Sequence, residues 1–295
     1  MKTTVPLLQS QNPPEFMFRG NAVAAGGFVT ELAGKPIAFD PRIVTTHGES
    51  SLPLIGGVSH SLIEKPQLNF PQYISYDNCE TFAEGRLEGE QAVTTARASV
   101  SNVRITTSPT PKDNIPDVHS MTFQANSFST EIQSIYPQTG QPAFKINAAS
   151  PRDMTFVVRD KFDKDTALPI ALDFDLKFLS FSTMQQMDEE FLGNRQFFDE
   201  YAPRFQSLKK LIFGRSKGPR TVQGYIITSF VRQIQIGNEL IPGNVLTRKG
   251  FGTIQFGVVV GNALTLRICM ALIKTVCDPT GGSNFAGTET NGIWK

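Results

Sequence analysis

Residues 169–183 read PIALDFDLKFLSFST and carry the clearest strand pattern in the chain. Successive side chains of a strand point to opposite faces of a sheet, so residues two apart share a face. The mostly apolar face of this stretch is formed by Ile170, Leu172, Phe174, Leu176, Phe178 and Ser180. The opposite face carries Asp173, Asp175 and Lys177. The pattern predicts a strand with one buried and one hydrated face, as in an antiparallel sheet.

The same two-residue period recurs on both sides of this stretch. Residues 118–125 place Met121 and Phe123 on one face, with polar side chains between them. Residues 92–107, AVTTARASVSNVRITT, also predict a strand, although two similar faces leave its buried side open. Prolines at 36, 41, 53, 66 and 71 exclude a long helix there and predict an ordered loop with short edge strands. Further strands are predicted at 154–159, 222–236, 253–260 and 263–273.

One region departs from the strand pattern. Thr183 and Gln186 have the three-residue spacing of a capping box, and apolar residues then recur at intervals of three and four. Such spacing places apolar side chains along one face of a helix. The sequence therefore predicts a helical insertion around residues 183–213.

The amino-acid composition limits the class of protein to which the chain can belong. Of the 295 residues, 40% are hydrophobic and 19% are charged, with 23 Phe, 24 Gly and 19 Pro. This content suits a globular β-rich fold with many turns and excludes a wholly disordered chain. We therefore predict a mainly β protein with an antiparallel β-sandwich or barrel-like architecture that carries the helical insertion.

The expected domain organisation is one large β-rich unit over residues 1–295. The length also allows a subdivision into an acidic β-rich part, 1–150, and a strand-helix-strand part, 151–295, with a basic C-terminal third. Residues 278–295 are rich in Gly, Thr and Asn and contain few apolar anchors. They predict a tail that is flexible or bound to a partner.

Charge is unevenly distributed along the chain, although the formal net charge is only +1. Residues 1–203 contain 16 basic and 24 acidic side chains, and residues 204–295 contain 12 basic and 3 acidic ones. The sign changes between two neighbouring clusters. The acidic cluster is Asp188, Glu189, Glu190, Asp199 and Glu200, and the basic cluster is Arg204, Lys209, Lys210, Arg215, Lys217 and Arg220.

These clusters allow three interpretations. They can neutralise each other on one hydrated surface of the same chain. The acidic face of one copy can also meet the basic face of the next copy and build a ring or a filament. Alternatively, the basic third can bind an anionic ligand or a membrane surface. Nucleic acid is disfavoured as a partner because the net charge is near zero and residues 204–220 contain only Phe205 and Phe213 as aromatics.

The histidine residues support an alternative hypothesis, in which the protein is a metal-dependent enzyme. His47 and Glu49 are two residues apart and would share a face of an extended strand. His119 or His60 could complete a metal site with two histidines and one carboxylate. On that hypothesis the protein is a metal-dependent oxygenase or hydrolase on a β scaffold.

Other catalytic patterns are weak. No Gly-x-Ser-x-Gly or Ser-x-x-Lys pattern lies on a predicted strand-to-helix turn, and Cys79, Cys269 and Cys277 lack Cys-x-x-Cys spacing. No phosphate-binding glycine loop is present. We therefore expect no cofactor and rank a non-enzymatic role above an enzymatic one.

Membrane insertion through a helix is not expected. No stretch approaches roughly 18 uninterrupted apolar residues, and the N-terminus lacks the continuous apolar core of a secretory signal. A cytoplasmic or virion-associated location is favoured over secretion. Residues 92–107, amphipathic and rich in Ser and Thr, keep a pore-forming or membrane-binding β protein as a further alternative.

The preferred hypothesis from the sequence is a non-enzymatic, β-rich structural or interaction protein. It would be a subunit of a homo-oligomeric or filamentous assembly, held partly by contacts between the acidic and the basic cluster. Other copies of the chain are then its main partners.

Overall fold

The described part of the chain consists of strands and their connections. The computed structural model describes residues 15–32, 35–36, 45–68, 70–110, 113, 115–140, 142–174, 226–261 and 264–294. In chain order, the strands of these residues are β1 (Phe16–Leu32), β2 (Lys35–Pro36), β3 (Thr45–Ser51), β4 (Gly57–Ile63), β5 (Ile74–Glu88), β6 (Gln91–Thr107), β7 (Val118–Pro137), β8 (Ala143–Arg152), β9 (Met154–Asp160), β10 (Asp165–Phe174), β11 (Ile226–Ser229), β12 (Val231–Ile236), β13 (Glu239–Pro242), β14 (Val245–Arg248), β15 (Gly252–Gly261), β16 (Thr265–Thr275) and β17 (Thr280–Trp294).

The strands form two antiparallel sheets. Sheet A has the order β11-β15-β16-β17-β1-β2, with β14 paired to β15 and β3 paired to β1. Sheet B has the order β13-β12-β10-β9-β7-β6-β5-β4, with β8 paired to β7. The prediction of a mainly β, antiparallel protein is confirmed. Neither sheet closes into a barrel among the described strands.

Both sheets contribute side chains to the larger of two hydrophobic clusters. The ring of Phe123 on β7 lies 6.1 Å from the ring of Phe256 on β15, measured between centroids. Phe128, also on β7, lies 6.0 Å from Phe285 on β17. All four rings are fully buried, and each buried side chain of this size contributes about 1.5–3 kcal/mol. The sheets therefore face each other across these residues.

In two of the long strands, β6 and β17, the face whose side chains are buried changes part-way along the strand. On β17, Phe285 and Ala286 are both buried although they are adjacent in sequence. In extended backbone, successive side chains point to opposite faces, and Ala286 departs from this backbone with a φ of +48°. Asn102 on β6, with a φ of +52°, marks the same change in sheet B, where Val100 and Val103 are both buried. This exchange explains why residues 92–107 show no single apolar face.

Hydroxyl side chains are also buried between the sheets. They include Ser50, Thr81, Thr94, Thr130, Ser134, Thr288 and Thr290. Thr130 Oγ1 donates to the Ala286 carbonyl at 3.0 Å and lies 3.2 Å from Thr288 Oγ1. These hydrogen bonds connect β7 of sheet B to β17 of sheet A.

The C-terminal residues correct an expectation. The sequence predicted a flexible or partner-bound tail at 278–295, but Thr280–Trp294 form β17, which lies between β16 and β1 inside sheet A. Apart from Phe285, the buried positions of β17 hold small residues, and this weakens the usual apolar strand signal. At Gly281 a Cβ would lie 2.2 Å from the Phe28 carbonyl oxygen, so the close approach of β1 requires glycine there.

Two other expectations concern residues that are only partly described. The predicted helical insertion around residues 183–213 lies outside the described residues, as does the 169–183 stretch beyond Phe174. Each sheet contains strands from both sides of residue 150. Sheet membership therefore does not follow the predicted division into 1–150 and 151–295.

Candidate functional site

β4 is an outer strand of sheet B and has an exposed apolar face. It pairs with β5 on one side, and no described strand pairs with its other side. Its side chains alternate: Val58 and Leu62 are 64% and 56% exposed, His60 between them is exposed, and Ser59 and Ser61 are half-buried. β4 therefore presents apolar side chains next to an unpaired backbone edge.

The turn that leads into β4 adds two exposed apolar side chains. Leu54 and Ile55 are 61% and 74% exposed. Gly56 follows with a φ of +86°, and a Cβ at this position would lie 2.7 Å from the Gly85 carbonyl oxygen. Only glycine satisfies both conditions without strain. The turn therefore fixes Leu54 and Ile55 beside the first residues of β4.

Charged groups lie beside β4 on the same face of sheet B. His60 Nε2 is 3.4 Å from Glu80 Oε1, and Arg97 Nη2 donates to the same carboxylate oxygen at 3.2 Å. The Arg97 guanidinium also lies 5.5 Å from the centre of the Phe82 ring. Exposed ion pairs of this kind contribute little to stability. They leave β5 and β6 hydrated, whereas β4 exposes apolar side chains.

Several other outer strands carry features that hinder pairing with a second chain. β2 has only the two residues Lys35 and Pro36, and β13 has four residues, with Glu239 at one end and Pro242 at the other. β8 carries Lys145 on its exposed surface. Shortness, charge and proline are the usual protections of a sheet edge. β4 has seven residues, GVSHSLI, without lysine, carboxylate or proline.

The predicted contact between acidic and basic clusters involves residues outside the described ones. These are Asp188, Glu189, Glu190, Asp199 and Glu200 in the acidic cluster, and Arg204, Lys209, Lys210, Arg215, Lys217 and Arg220 in the basic cluster. Their contact stays a prediction.

The predicted metal ligands do not form a ligand set in the structure. His47 Nδ1 lies 2.6 Å from the Tyr76 hydroxyl, whereas Glu49 and His119 are exposed on β3 and β7. Gly48 lies between His47 and Glu49 and has a φ of +61°, which is not extended backbone. The rule that residues two apart share a face therefore does not apply to this pair. Among the described residues, no group of three or more His, Cys, Asp or Glu side chains could hold a metal ion.

His47, Tyr76 and Cys79 instead connect the two sheets. Burial lowers the pKa of His47, against the opposing effect of a backbone hydrogen bond to Gln67. Burial also raises the pKa of Tyr76, and it raises the pKa of Cys79 to about 12 together with the nearby Asp77 charge. A thiol with such a pKa is protonated at neutral pH and is a poor nucleophile. The arrangement is therefore suited to holding β3 against β5.

The outer face of sheet A contains a groove of about 860 Å³. Phe28 and Leu272 line it and are 42% and 41% exposed. Arg267 and Glu289, which also line it, form an ion pair at 2.6 Å. A concave site with apolar walls and a few polar groups is typical of small-molecule binding.

Gly287 keeps part of this groove open. A Cβ at residue 287 would lie 3.7 Å from the Val23 carbonyl oxygen and 3.8 Å from Asn284 Nδ2, which are ordinary contact distances. At Gly282, by contrast, a Cβ would lie 2.9 Å from the Phe28 ring. A larger side chain at residue 287 would therefore extend into the groove without a backbone clash.

Cys269 lines the same groove but offers no activated thiolate. Its Sγ donates to the Ala271 carbonyl oxygen at 3.3 Å and approaches the Phe285 carbonyl oxygen to 3.7 Å. Burial raises the pKa of Cys269 to about 11. The thiol is therefore protonated at neutral pH and can act only as a weak hydrogen-bond donor and an apolar contact.

No family model, curated protein or solved structure matches this chain. In the part of the chain that the structure describes, no helix has the length and apolarity needed to cross a membrane. The features of this chain that indicate a function are therefore the geometry of β4 and of the groove in sheet A.

The sequence contained a signal for the β4 edge but none for the groove. The short edge strands predicted between residues 36 and 71 correspond to β3 and β4. Within β4, residues 58–62 read VSHSL, which places apolar and hydroxyl residues symmetrically about His60. The glycines that line the groove, by contrast, cannot be distinguished in sequence from the glycines of turns.

Proposed function

We propose that this protein is a non-enzymatic β-sandwich subunit that works in an assembly of identical copies. The unprotected edge of β4, with its exposed apolar face, carries the proposal. A free strand edge has unpaired backbone N–H and C=O groups, and a second strand that pairs with it satisfies them. Association with another copy would make the β4 edge internal to a continuous sheet.

Apolar burial would add to the backbone pairing. Leu54, Ile55, Val58 and Leu62 are each more than half exposed and lie on one turn and the strand that follows it. Single exposed apolar side chains are common, but a contiguous group of them is typical of an interaction site. Each such side chain that becomes fully buried contributes about 1.5–3 kcal/mol.

The acidic and basic clusters would supply a second contact of a different kind. A contact between residues 188–200 of one copy and 204–220 of the next is heterologous and can extend beyond two copies. Contacts between exposed charges weaken with added salt, whereas apolar contacts do not. Species larger than a dimer should therefore dissociate at high salt, and association through β4 should persist.

Val58→Lys tests the role of β4 in association. The substitution adds a charge to the outer face of β4 and removes an apolar contact of about 1.5 kcal/mol, which weakens association about tenfold or more. Light scattering at a series of concentrations measures the effect on mass. Leu240→Lys is the matched control, because Leu240 is 60% exposed on β13, another outer strand of sheet B.

The proposal predicts that Val58→Lys lowers the mass at a given concentration and that Leu240→Lys leaves it unchanged. Equal effects of the two substitutions would contradict a specific contact through β4.

A second candidate function is the binding of a small, uncharged and mostly apolar molecule in the groove of sheet A. The open space above Gly287 favours it. A neutral apolar dye such as Nile red should bind wild-type protein, and Gly287→Leu should reduce its fluorescence gain several-fold. Lys145→Leu, an exposed position on sheet B, is the control for non-specific apolar binding. Equal dye binding by both variants would exclude the groove as the site.

A further inference from the structure

We infer that two copies of the chain pair through β4 in antiparallel orientation, about a two-fold axis beside His60. This inference rests on the proposed self-association and specifies the partner strand and the register of one contact. Sheet B of one copy would continue directly into sheet B of the other.

The sequence of β4 is nearly symmetric about its centre. Residues 58–62 read VSHSL. In an antiparallel pair centred on His60, Val58 faces the partner's Leu62, and Ser59 faces the partner's Ser61. Apolar side chains then face apolar ones, and hydroxyl groups face hydroxyl groups. A two-fold contact needs this self-complementarity, since one strand supplies both sides of it.

The exposure of the β4 side chains agrees with this register. Directly opposed residues of two antiparallel strands point to the same face of a sheet. Val58, His60 and Leu62 are exposed and Ser59 and Ser61 are half-buried, so the centred register keeps the outer faces of both copies together. A shift of one residue would join the outer face of one copy to the inner face of the other. A shift of two would place Val58 opposite the partner's His60.

The turn before β4 lengthens the contact. A stable interface buries at least roughly 1,000 Å² in total, more than one pair of strands of this length supplies. In the centred register Gly57 lies opposite the partner's Ile63, so the turn that carries Leu54 and Ile55 begins where the partner's β4 ends. The exposed turn of each copy therefore extends past the end of the partner's β4 and increases the buried apolar area on both sides of the axis.

The side chains around His60 are compatible with a second His60, from the partner, at the two-fold axis. Each imidazole is 3.4 Å from the carboxylate of Glu80 in its own chain, and Arg97 donates to that carboxylate. Two histidines at the axis therefore have an anionic neighbour each. Lysine at the centre of the strand would be a poorer choice, because two ammonium groups would be permanently opposed.

His60→Cys tests the axis directly. Residues that face each other in an antiparallel pair have Cα atoms about 4.5–5.5 Å apart, within the range of about 4.4–6.8 Å that a disulfide spans. His60→Cys should therefore form a disulfide-linked dimer with oxidised glutathione, visible on a non-reducing gel. The unsubstituted chain is the background control, since Cys79 and Cys277 are buried and Cys269 is largely so.

Val58→Cys provides a matched control on the same strand. In the inferred register the two copies of residue 58 are separated by four positions, about 13 Å, which is too far for a disulfide. Val58→Cys alone should not cross-link. An equimolar mixture of Val58→Cys and Leu62→Cys should cross-link, because these positions face each other, and this pair keeps His60 intact.

The outcomes separate this inference from the proposed self-association. A dimer from His60→Cys and from the mixture, with none from Val58→Cys alone, supports the register. Association of the unsubstituted chain without a dimer in either experiment would overturn the two-fold pairing and leave self-association standing. A mass of one chain at every concentration would contradict both.

Discussion

Gly48 determines how closely β3 approaches its neighbours in both sheets. It has a φ of +61°, and a Cβ at this position would lie 2.9 Å from Ala24 Cβ and 3.0 Å from Cys79 Cβ. Ala24 belongs to β1 of sheet A, and Cys79 belongs to β5 of sheet B. Only glycine allows both the backbone conformation and this close contact between strands of the two sheets.

Gly48→Ala should therefore lower the free energy of unfolding by about 2–4 kcal/mol, because strain and overpacking act together. Gly89→Ala is the matched control. Gly89 has a φ of +59°, but a Cβ there would meet nothing within 4 Å, so only the backbone cost of about 1 kcal/mol applies. Urea denaturation measures both. Equal losses would contradict the packing role of Gly48.

His47 should make folding stability dependent on pH. Burial lowers its pKa from 6.5 in the folded protein, so the unfolded chain binds the proton more readily. Stability should therefore fall as the pH drops below about 6.5, until the lowered pKa of the folded state is reached. Urea denaturation between about pH 7.5 and pH 5 should show a weaker pH dependence for His47→Gln than for wild type. His119→Gln, at an exposed position on β7, is the matched control for the substitution itself.

An identical pH dependence of His47→Gln and wild type would contradict this account of His47.

His47 also shows what the sequence could not predict. The spacing of His47 and Glu49 predicted a shared face, which holds only for regular extended backbone. Gly48 breaks that regularity, and nothing in the sequence distinguishes a glycine with positive φ from one in a normal strand.

At the level of strands, paired hydroxyl groups connect the sheets. Thr130 on β7 is hydrogen-bonded to the Ala286 carbonyl and to Thr288 on β17. Thr94 on β6 is equally buried, but its Oγ1 has no hydrogen-bond partner among the described residues. The two threonines therefore differ in bonding and not in burial.

Thr130→Val should lower the free energy of unfolding by about 1–3 kcal/mol, because it leaves buried polar partners unsatisfied. Thr94→Val should be neutral or stabilising, because it replaces an unpaired buried hydroxyl with a methyl group of similar shape. Thermal and urea denaturation of both variants measure the difference. A larger loss for Thr94→Val would contradict this assignment of hydrogen bonds.

Alternation of apolar and polar residues predicted strands well where one face is apolar and the same face stays buried. This holds for Met121 and Phe123 in β7 and for Ile170 in β10, all of which are buried. It failed for the buried face of residues 92–107, where Asn102 reverses the pattern, and for β17, where small residues occupy all the buried positions except that of Phe285. In both cases the core is shaped by contacts with the opposite sheet, which a single strand does not encode.

For the molecule as a whole, the sequence predicted the fold class but not the strand order. β1 and β17 pair over nearly their whole lengths, from Phe16 opposite Trp294 to Glu31 opposite Thr280. Such pairing between the two ends of the chain has no local sequence signal, because the partner strand is chosen by the complete fold. The prolines predicted short edge strands between residues 36 and 71, but which sheet β4 borders could not be predicted for the same reason.

Sedimentation equilibrium of the unsubstituted protein tests the central claim, association through β4, most directly. We predict a mass of about twice the 32.5 kDa of one chain at micromolar concentrations and high salt, where the charged clusters no longer contribute. A mass of 32.5 kDa at every concentration and salt level would contradict the claim.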